Sequence, residues 1–407
     1  MKFQQARLDN GLQIIAEEKP SSRSVALGFF VRTGARDETP DVAGVSHFLE
    51  HMLFKGTPKR SAFDVNREFD EMGAKYNAFT SEETTVYYAA VLPEYLPRVL
   101  DLWADLLRPA LREDDFETEK GVILEEIAMY EDQPHFDVID RCRRLHFDTH
   151  ACGNSVLGTA DSIRALSAPQ MRDYFNQRYA PDNIVLAAAG NLDFDALVRQ
   201  AGELCGHWQP HQPRRELSHF PGTGNQDLAH KETVREHFCL MSPAPAAQDP
   251  LRHPARVLAH IVGDVTGSRL YWALVDTALV DAADMDYDAM DGTGLFYTYI
   301  SCDPARAAEV IETTRATFRD LADNPITPAE LQAAKNKLAS VVTLAGELPM
   351  GRLVPLGYGW LYRHEYRPLA DDIAAVEAVS GEDLHNLMQQ YPLDRFSLQG
   401  LGACTSL

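Results

Sequence analysis

Apolar residues along the first half of the chain recur in two registers. Between residues 42 and 53 they stand at Val42, Val45, Phe48, Leu49, Met52 and Leu53. That is the spacing of a helix with one packed side. Asp41 is available as an N-cap, and Gly56 and Pro58 follow the last turn, so the segment is bounded at both ends. A second helix is predicted over 116–130, with Gly121 as a tolerated interruption. Residues 12–16 read as a strand, 77–88 alternate in a way that suits a strand, and 183–190 form an apolar run of the length of a buried strand. Residues 208–225, rich in Pro, Gly and polar side chains, break the pattern.

The polar side of the first helix carries the chemistry. His47, Glu50 and His51 fall within an arc of about 100°, opposite the apolar stripe. Imidazoles four residues apart on a helix can point at one ion, about 2.0–2.1 Å from each nitrogen, and a glutamate between them can reach the ion's water. The His-x-x-Glu-His order is that of the inverted zinc peptidases and points to metal-assisted hydrolysis. Ordinary packed or surface histidines are the bland alternative. A pair with an interposed glutamate, segregated from the apolar face in a chain with 14 His among 407 residues, favours the metal site.

Two nitrogens leave such a site short of a third protein ligand. In the second helix Glu119 and Glu126 lie only about 20° apart around the axis, and they share their side with Val122, Ile123 and Tyr130. Carboxylates within an apolar face are costly unless paired or metal-bound. Glu126 is therefore the geometric choice for the ligand over Glu125, which falls on the flank, and Glu119 is a group that orients a ligand or shares a proton with the site. The competing reading is a solvated acidic helix face, since Glu113, Asp114, Asp115, Glu117, Glu131 and Asp132 crowd the same region.

Composition narrows the class. A chain of 407 residues, 45% hydrophobic and 24% charged, is long enough for two or more domains. No run of 18 apolar residues suggests a membrane span, and the first ten residues lack an apolar signal core. A cytoplasmic protein is the expectation. Cys142, Cys152, Cys205, Cys239, Cys302 and Cys404 have no Cys-x-x-Cys spacing, which fits reduced thiols. A net charge of −22, from 38 basic and 60 acidic residues, argues against nucleic acid as a partner. An acidic substrate chamber would favour cationic peptides, and solubility accounts for the same charge equally well.

With the segments from His47 to Thr57, Gly73 to Ser81, Glu83 to Tyr88, Glu119 to Ile127 and Leu157 to Thr159, together with Asn10-Gly11-Leu12, the chain resembles the pitrilysin and mitochondrial processing peptidase superfamily of zinc endopeptidases, in its short-chain bacterial branch. The resemblance implies one Zn2+ per chain held by His47, His51 and Glu126, with Glu50 as general base and Glu119 as a supporting acid. It also implies that residues 77–88 include a sheet edge taking substrate by strand addition, with Asn77 and Ala78 binding its backbone. The fold it implies is α+β, with two similar halves, each a mixed sheet covered by helices, closing as a clamshell. Residues 1–212 would form the zinc-binding half, 213–225 a linker, and 226–407 a degenerate half in which 254–263 stands where the active helix stood and Arg256 and Ala259 replace the first histidine and the glutamate. Peptide substrates and a homodimer or a heterodimer with a related subunit are the implied partners.

The second half departs from that pattern. Active relatives carry an arginine and, shortly after it, a tyrosine that help hold substrate and oxyanion, but residues 275–283 contain neither. Tyr287 is a substitute donor on one reading and a packed strand tyrosine on the other. A partner subunit could also supply the pair. Three function classes therefore stand: a zinc endopeptidase, a non-catalytic assembly subunit, and an iron oxygenase with two histidines and one carboxylate. The last gives the intervening glutamate no role.

Overall fold

The computed structural model describes residues 1–406. They form two compact units. The first consists of Met1–Ile127, Asn154–Arg215 and Thr343–Arg367, the second of Ala128–Gly153, Glu216–Val342 and the chain from Pro368 onward.

In the first unit, β1 (Lys2–Arg7), β2 (Gln13–Glu18), β3 (Val25–Val31), β4 (Lys75–Thr80), β5 (Thr85–Val91) and β6 (Ile184–Gly190) make one sheet in the order β1-β2-β6-β3-β5-β4. Only β2 and β6 run parallel; the other pairs are antiparallel. Every residue of β3 and β6 is buried, as expected of strands covered on both faces. The stretch 77–88 is not one strand. It folds back at residues 81–84, where the Ser81 N–H donates to the Thr84 carbonyl at 2.8 Å, and this leaves β4 as the sheet's edge.

The second unit contains β7 (Gln226–His230), β8 (Glu236–Pro243), β9 (Val280–Ala289), β10 (Gly294–Cys302) and β11 (Ser397–Gly402), ordered β7-β11-β8-β10-β9. Its one parallel pair is β7 and β11. Without β1, the first sheet has the same order and the same pairing senses, strand for strand. The helix Val45–Leu53 lies between β3 and β4 in sequence, and the helix Arg252–Gly263 lies between β8 and β9. The two units are thus repeats of one α+β plan.

The units differ from the contiguous spans 1–212 and 226–407 through two exchanged segments. The helix Pro349–Arg363, late in the chain, packs Leu353, Leu356 and Leu361 on Ile15, Ala26, Phe30, Val185 and Ala187 of the first sheet. The helix Pro134–Phe147, early in the chain, packs Val138, Cys142 and Phe147 on Cys239, Met241 and Leu401 of the second. A helical period shows that a segment has an apolar side but not which sheet covers it, so sequence patterning gives a contiguous division. The chain does pass between units at Arg215 and Glu216, inside the stretch read as a linker.

The first unit's core joins the two helices of interest. Phe48, from the apolar side of the 45–53 helix, stacks on Phe116 of the helix Glu113–Glu131 at 4.7 Å between ring centroids. Phe116, Glu119, Ile123 and Ile127 form the buried stripe of the longer helix. Gly121 is exposed on its outer side, and a Cβ built there meets nothing within 4 Å. Gly121→Ala is expected to stabilise the protein by about 0.5–1 kcal/mol, through helix propensity and a less mobile unfolded chain. A thermal melt that shows no rise in Tm would contradict this account of the helix.

Candidate metal centre

The 45–53 helix does not start where its sequence suggests. Pro40–Val42 form a separate turn, exposed Asp41 accepts from Thr39 Oγ1 at 2.6 Å, and the N-cap is Gly44, with φ at +89°. A side chain at Gly44 would meet the Leu157 carbonyl oxygen at 2.6 Å. The cap's missing acceptor is supplied from a distance. Buried Glu38 takes the N–H of Gly44 at 2.6 Å and that of Ser46 at 2.7 Å through its two oxygens. Burial pushes the Glu38 carboxyl up to about 7 despite those bonds, and neighbouring Asp37 adds to the rise. Ser46 Oγ lies 2.7 Å from the Tyr174 hydroxyl, which lies 2.7 Å from Thr33 Oγ1, so a second polar chain also holds the helix start.

With the helix fixed, His47, Glu50 and His51 share one side, as expected. The His47 and His51 rings stand 4.7 Å apart, tilted at 64°. The Glu113–Glu131 helix brings Glu126 Oε2 to 3.7 Å from His47 Nε2 and 3.5 Å from His51 Nε2. Among the described residues, His47, His51 and Glu126 are the group whose ligand atoms converge, all within 4.8 Å of one another. Glu125 lies on the exposed side of its helix and does not join them.

Glu126 Oε2 is buried and has no hydrogen-bond partner, and its distances to the imidazoles are too long for hydrogen bonds. They are close to the spacing of about 3.4 Å between tetrahedral ligands each about 2.1 Å from a shared ion. Two imidazoles and one carboxylate suit a zinc site that keeps one open position. The residues present therefore fit a zinc ion.

His51 is oriented from behind. Its Nδ1 lies 2.9 Å from Oε1 of buried Glu119, and the other Glu119 oxygen pairs with the Lys55 ammonium. A proton on Nδ1 leaves Nε2 with its lone pair toward Glu126 and His47. Burial would raise Glu119, but the His51 and Lys55 bonds outweigh it and hold its pKa below the ordinary carboxylate value. His47 behaves differently: burial, assisted by the nearby His51, pulls it down to about 3, so it is neutral at any physiological pH. Burial also tends to depress His51, yet the Glu119 bond and the charges of Glu126, Glu50 and Glu119 reverse the sign and raise it. Glu126 is raised by burial and by Glu119, against His51.

Glu50 sits beside the cluster with one oxygen, Oε2, 2.6 Å from Thr80 Oγ1 of β4. Burial raises its pKa against the Thr80 bond and the His51 charge, and Glu126 adds to the rise. Asn77 is exposed on the same edge strand and Ala78 is buried in it, paired across the hairpin with Tyr88 and Tyr87. Tyr287, in the other unit, donates its hydroxyl to the Pro245 carbonyl at 2.7 Å and packs on Phe296, which is the structural role. Sequence reading passed over Glu38, Lys55 and Thr80. Lys55 and Thr80 fall inside segments already singled out, but only the folded chain shows that their partners are Glu119 and Glu50.

Residues 13–160 match the family model described as insulinase, peptidase family M16, and residues 165–338 match the one described as peptidase M16 inactive domain. An uncharacterized zinc protease of Streptomyces coelicolor is 34% identical over 405 residues, covering 97% of this chain and 88% of that protein. The mitochondrial-processing peptidase subunit beta of Bos taurus is 28% identical over 95% of this chain and 81% of its own. The fold is shared with a protease from Helicobacter pylori, at a TM-score of 0.90 and 20% identity over 98% of this chain and 99% of that one. A site of this kind on this duplicated fold defines a zinc metallopeptidase at the level of the family. The chain belongs to peptidase family M16.

Because His51 is raised above its ordinary value in the metal-free site, zinc must displace a proton from it at and below that pKa. Zinc affinity is expected to climb by up to about tenfold per pH unit on the acid side of the raised His51 value and to level off above it. Chelator competition between about pH 6 and 8 measures this, and an affinity independent of pH in that window would show His51 already neutral.

Proposed function

We propose that this chain is a zinc-dependent endopeptidase that hydrolyses peptides or unfolded polypeptide segments. The observation that carries the reading is the convergence of His47, His51 and Glu126 on one point with Glu50 beside it. The site would hold one zinc ion through those three side chains, and when bound the ion supplies Lewis-acid activation of water and of the scissile carbonyl. Glu50, partly desolvated and held by Thr80, takes a proton from the attacking water and returns it to the leaving amine. Glu119 keeps the Nδ1 proton on His51 and so keeps the ligand nitrogen turned inward. β4 is an unpaired edge, which supports binding of an extended substrate by strand addition at Asn77 and Ala78.

The reading extends to assembly and place. The Bos taurus relative is named as subunit beta, which supports a dimer with a related chain, with a homodimer as the other form of the reading. Six free cysteines, and the absence among described residues of a helix long and apolar enough to cross a membrane, are compatible with work in the reducing cytoplasm. One observation favours a second reading, a non-catalytic assembly subunit. Residues 275–283 hold neither the arginine nor the tyrosine that the family resemblance implies, and Tyr287 is engaged elsewhere.

Cleavage of a quenched fluorescent peptide library by the purified chain, with zinc measured on the same sample, separates the two. Glu50→Gln is expected to keep its zinc and lose about 10²–10⁴-fold in turnover, the usual loss for a general base. Zinc without cleavage in the wild-type chain would favour the assembly subunit or a site completed by a partner.

A further inference from the structure

Among the described residues the hydroxyl of Thr80 is the hydrogen-bond partner of Glu50, and its proton is committed. An ionised carboxylate only accepts, so at 2.6 Å Thr80 Oγ1 must donate to Glu50 Oε2. The Thr85 hydroxyl, whose own proton goes to the Thr33 carbonyl at 3.0 Å, is the other acceptor within reach of Thr80 Oγ1, but at 3.5 Å it is much the weaker one beside Glu50 Oε2 at 2.6 Å. Thr80 is also a stiff mount. It is the last residue of β4, paired with Thr85 across a closed turn, and its branched Cβ limits χ1. One oxygen of Glu50 is therefore fixed, and Oε1 makes no hydrogen bond among the described residues. Thr80 stands two residues beyond Ala78 on the same face of the edge strand, about 7 Å along it.

We propose that Thr80 is a positioning residue for Glu50: its hydroxyl ties down one carboxylate oxygen, turns the other toward the attacking water, and sets the base in register with the strand edge that takes the substrate. The inference rests on the peptidase reading above and deepens it. A substrate backbone aligned on β4 and a base hung from the same strand keep a fixed separation, whatever movement the rest of the unit undergoes. The chemistry then depends on a hydroxyl that touches neither metal nor substrate.

The test compares wild type, Thr80→Val, Thr80→Ala and Thr80→Ser as zinc-loaded full-length chains. Thr80→Val keeps the shape and removes the donor, and Thr80→Ser keeps the donor and removes the methyl. The expected result is a fall in kcat of about 10–100-fold for Thr80→Val and Thr80→Ala, with KM within about twofold, zinc content unchanged, and Thr80→Ser within about threefold of wild type. A kcat for Thr80→Val within about twofold of wild type, or an equal loss in Thr80→Ser, overturns the proposal. Two variants lacking the donor keep the comparison usable if one of them folds poorly.

A second readout needs no turnover. In cobalt-substituted protein, the visible spectrum reports deprotonation at the metal centre, and its pH midpoint is expected to move by at least about half a unit in Thr80→Val but not in Thr80→Ser. A wild-type chain that cleaves nothing speaks against the peptidase reading, and the cobalt titration then decides the Thr80 proposal by itself. Identical midpoints in wild type and Thr80→Val overturn it.

Discussion

The centre depends on the hydrogen bond between His51 Nδ1 and Glu119. A carboxylate in the buried stripe of a helix is expensive to hold, and here the cost is offset by an imidazole N–H on one oxygen and the Lys55 ammonium on the other. Removing either partner leaves Glu119 with an uncompensated buried oxygen. The bond also carries information, since it decides which imidazole nitrogen bears the proton and therefore which one faces His47 and Glu126. The Phe48–Phe116 stack brings the two helices together, and the Glu119 bond fixes how the facing side chains are turned.

A second constraint works at the other end of the same helix. Position 44 requires glycine both for its left-handed conformation and because the Leu157 carbonyl leaves no room for a side chain, and a glycine cap has no oxygen with which to close the first turn. Glu38 supplies the acceptor from six and eight residues away in the chain and is buried in doing so. Carboxylates thus support the ligand helix at both ends, Glu38 through its backbone and Glu119 through a side chain. Neither meets the ligand atoms directly.

Much of this was legible in the sequence. The side of a helix on which His47, Glu50 and His51 fall follows from periodicity alone, and so does the burial of Glu119 with Ile123, whereas Val122, read as sharing that side, is exposed and Ile127 takes its place in the stripe. The preference for Glu126 over Glu125 came from angle around the axis, and the structure places Glu126 in the cluster. What periodicity could not supply was long-range partnership. Asp41 has the chemistry of an N-cap and the right position, but a cap needs the chain to enter the helix there, and a turn at Pro40–Val42 intervenes. Residues 77–88 kept a strand-like alternation across a hairpin, because the turn is built of Ser, Glu and Thr rather than Gly or Pro. The exchanged helices were invisible for the same reason: an apolar stripe does not name its sheet.

That exchange sets the order in which the protein can be completed during synthesis. The last strand of the first sheet is made by Gly190, but the helix that covers Ile15, Phe30 and Val185 begins at Pro349. At about 5–20 residues per second the ribosome leaves that apolar face without its own cover for on the order of ten seconds. The second sheet faces the opposite situation, since its Pro134–Phe147 helix is made long before the strands it covers. Neither unit can close on its own portion of the message, and the half that carries His47, His51 and Glu126 becomes a finished domain only after most of the other half has been translated.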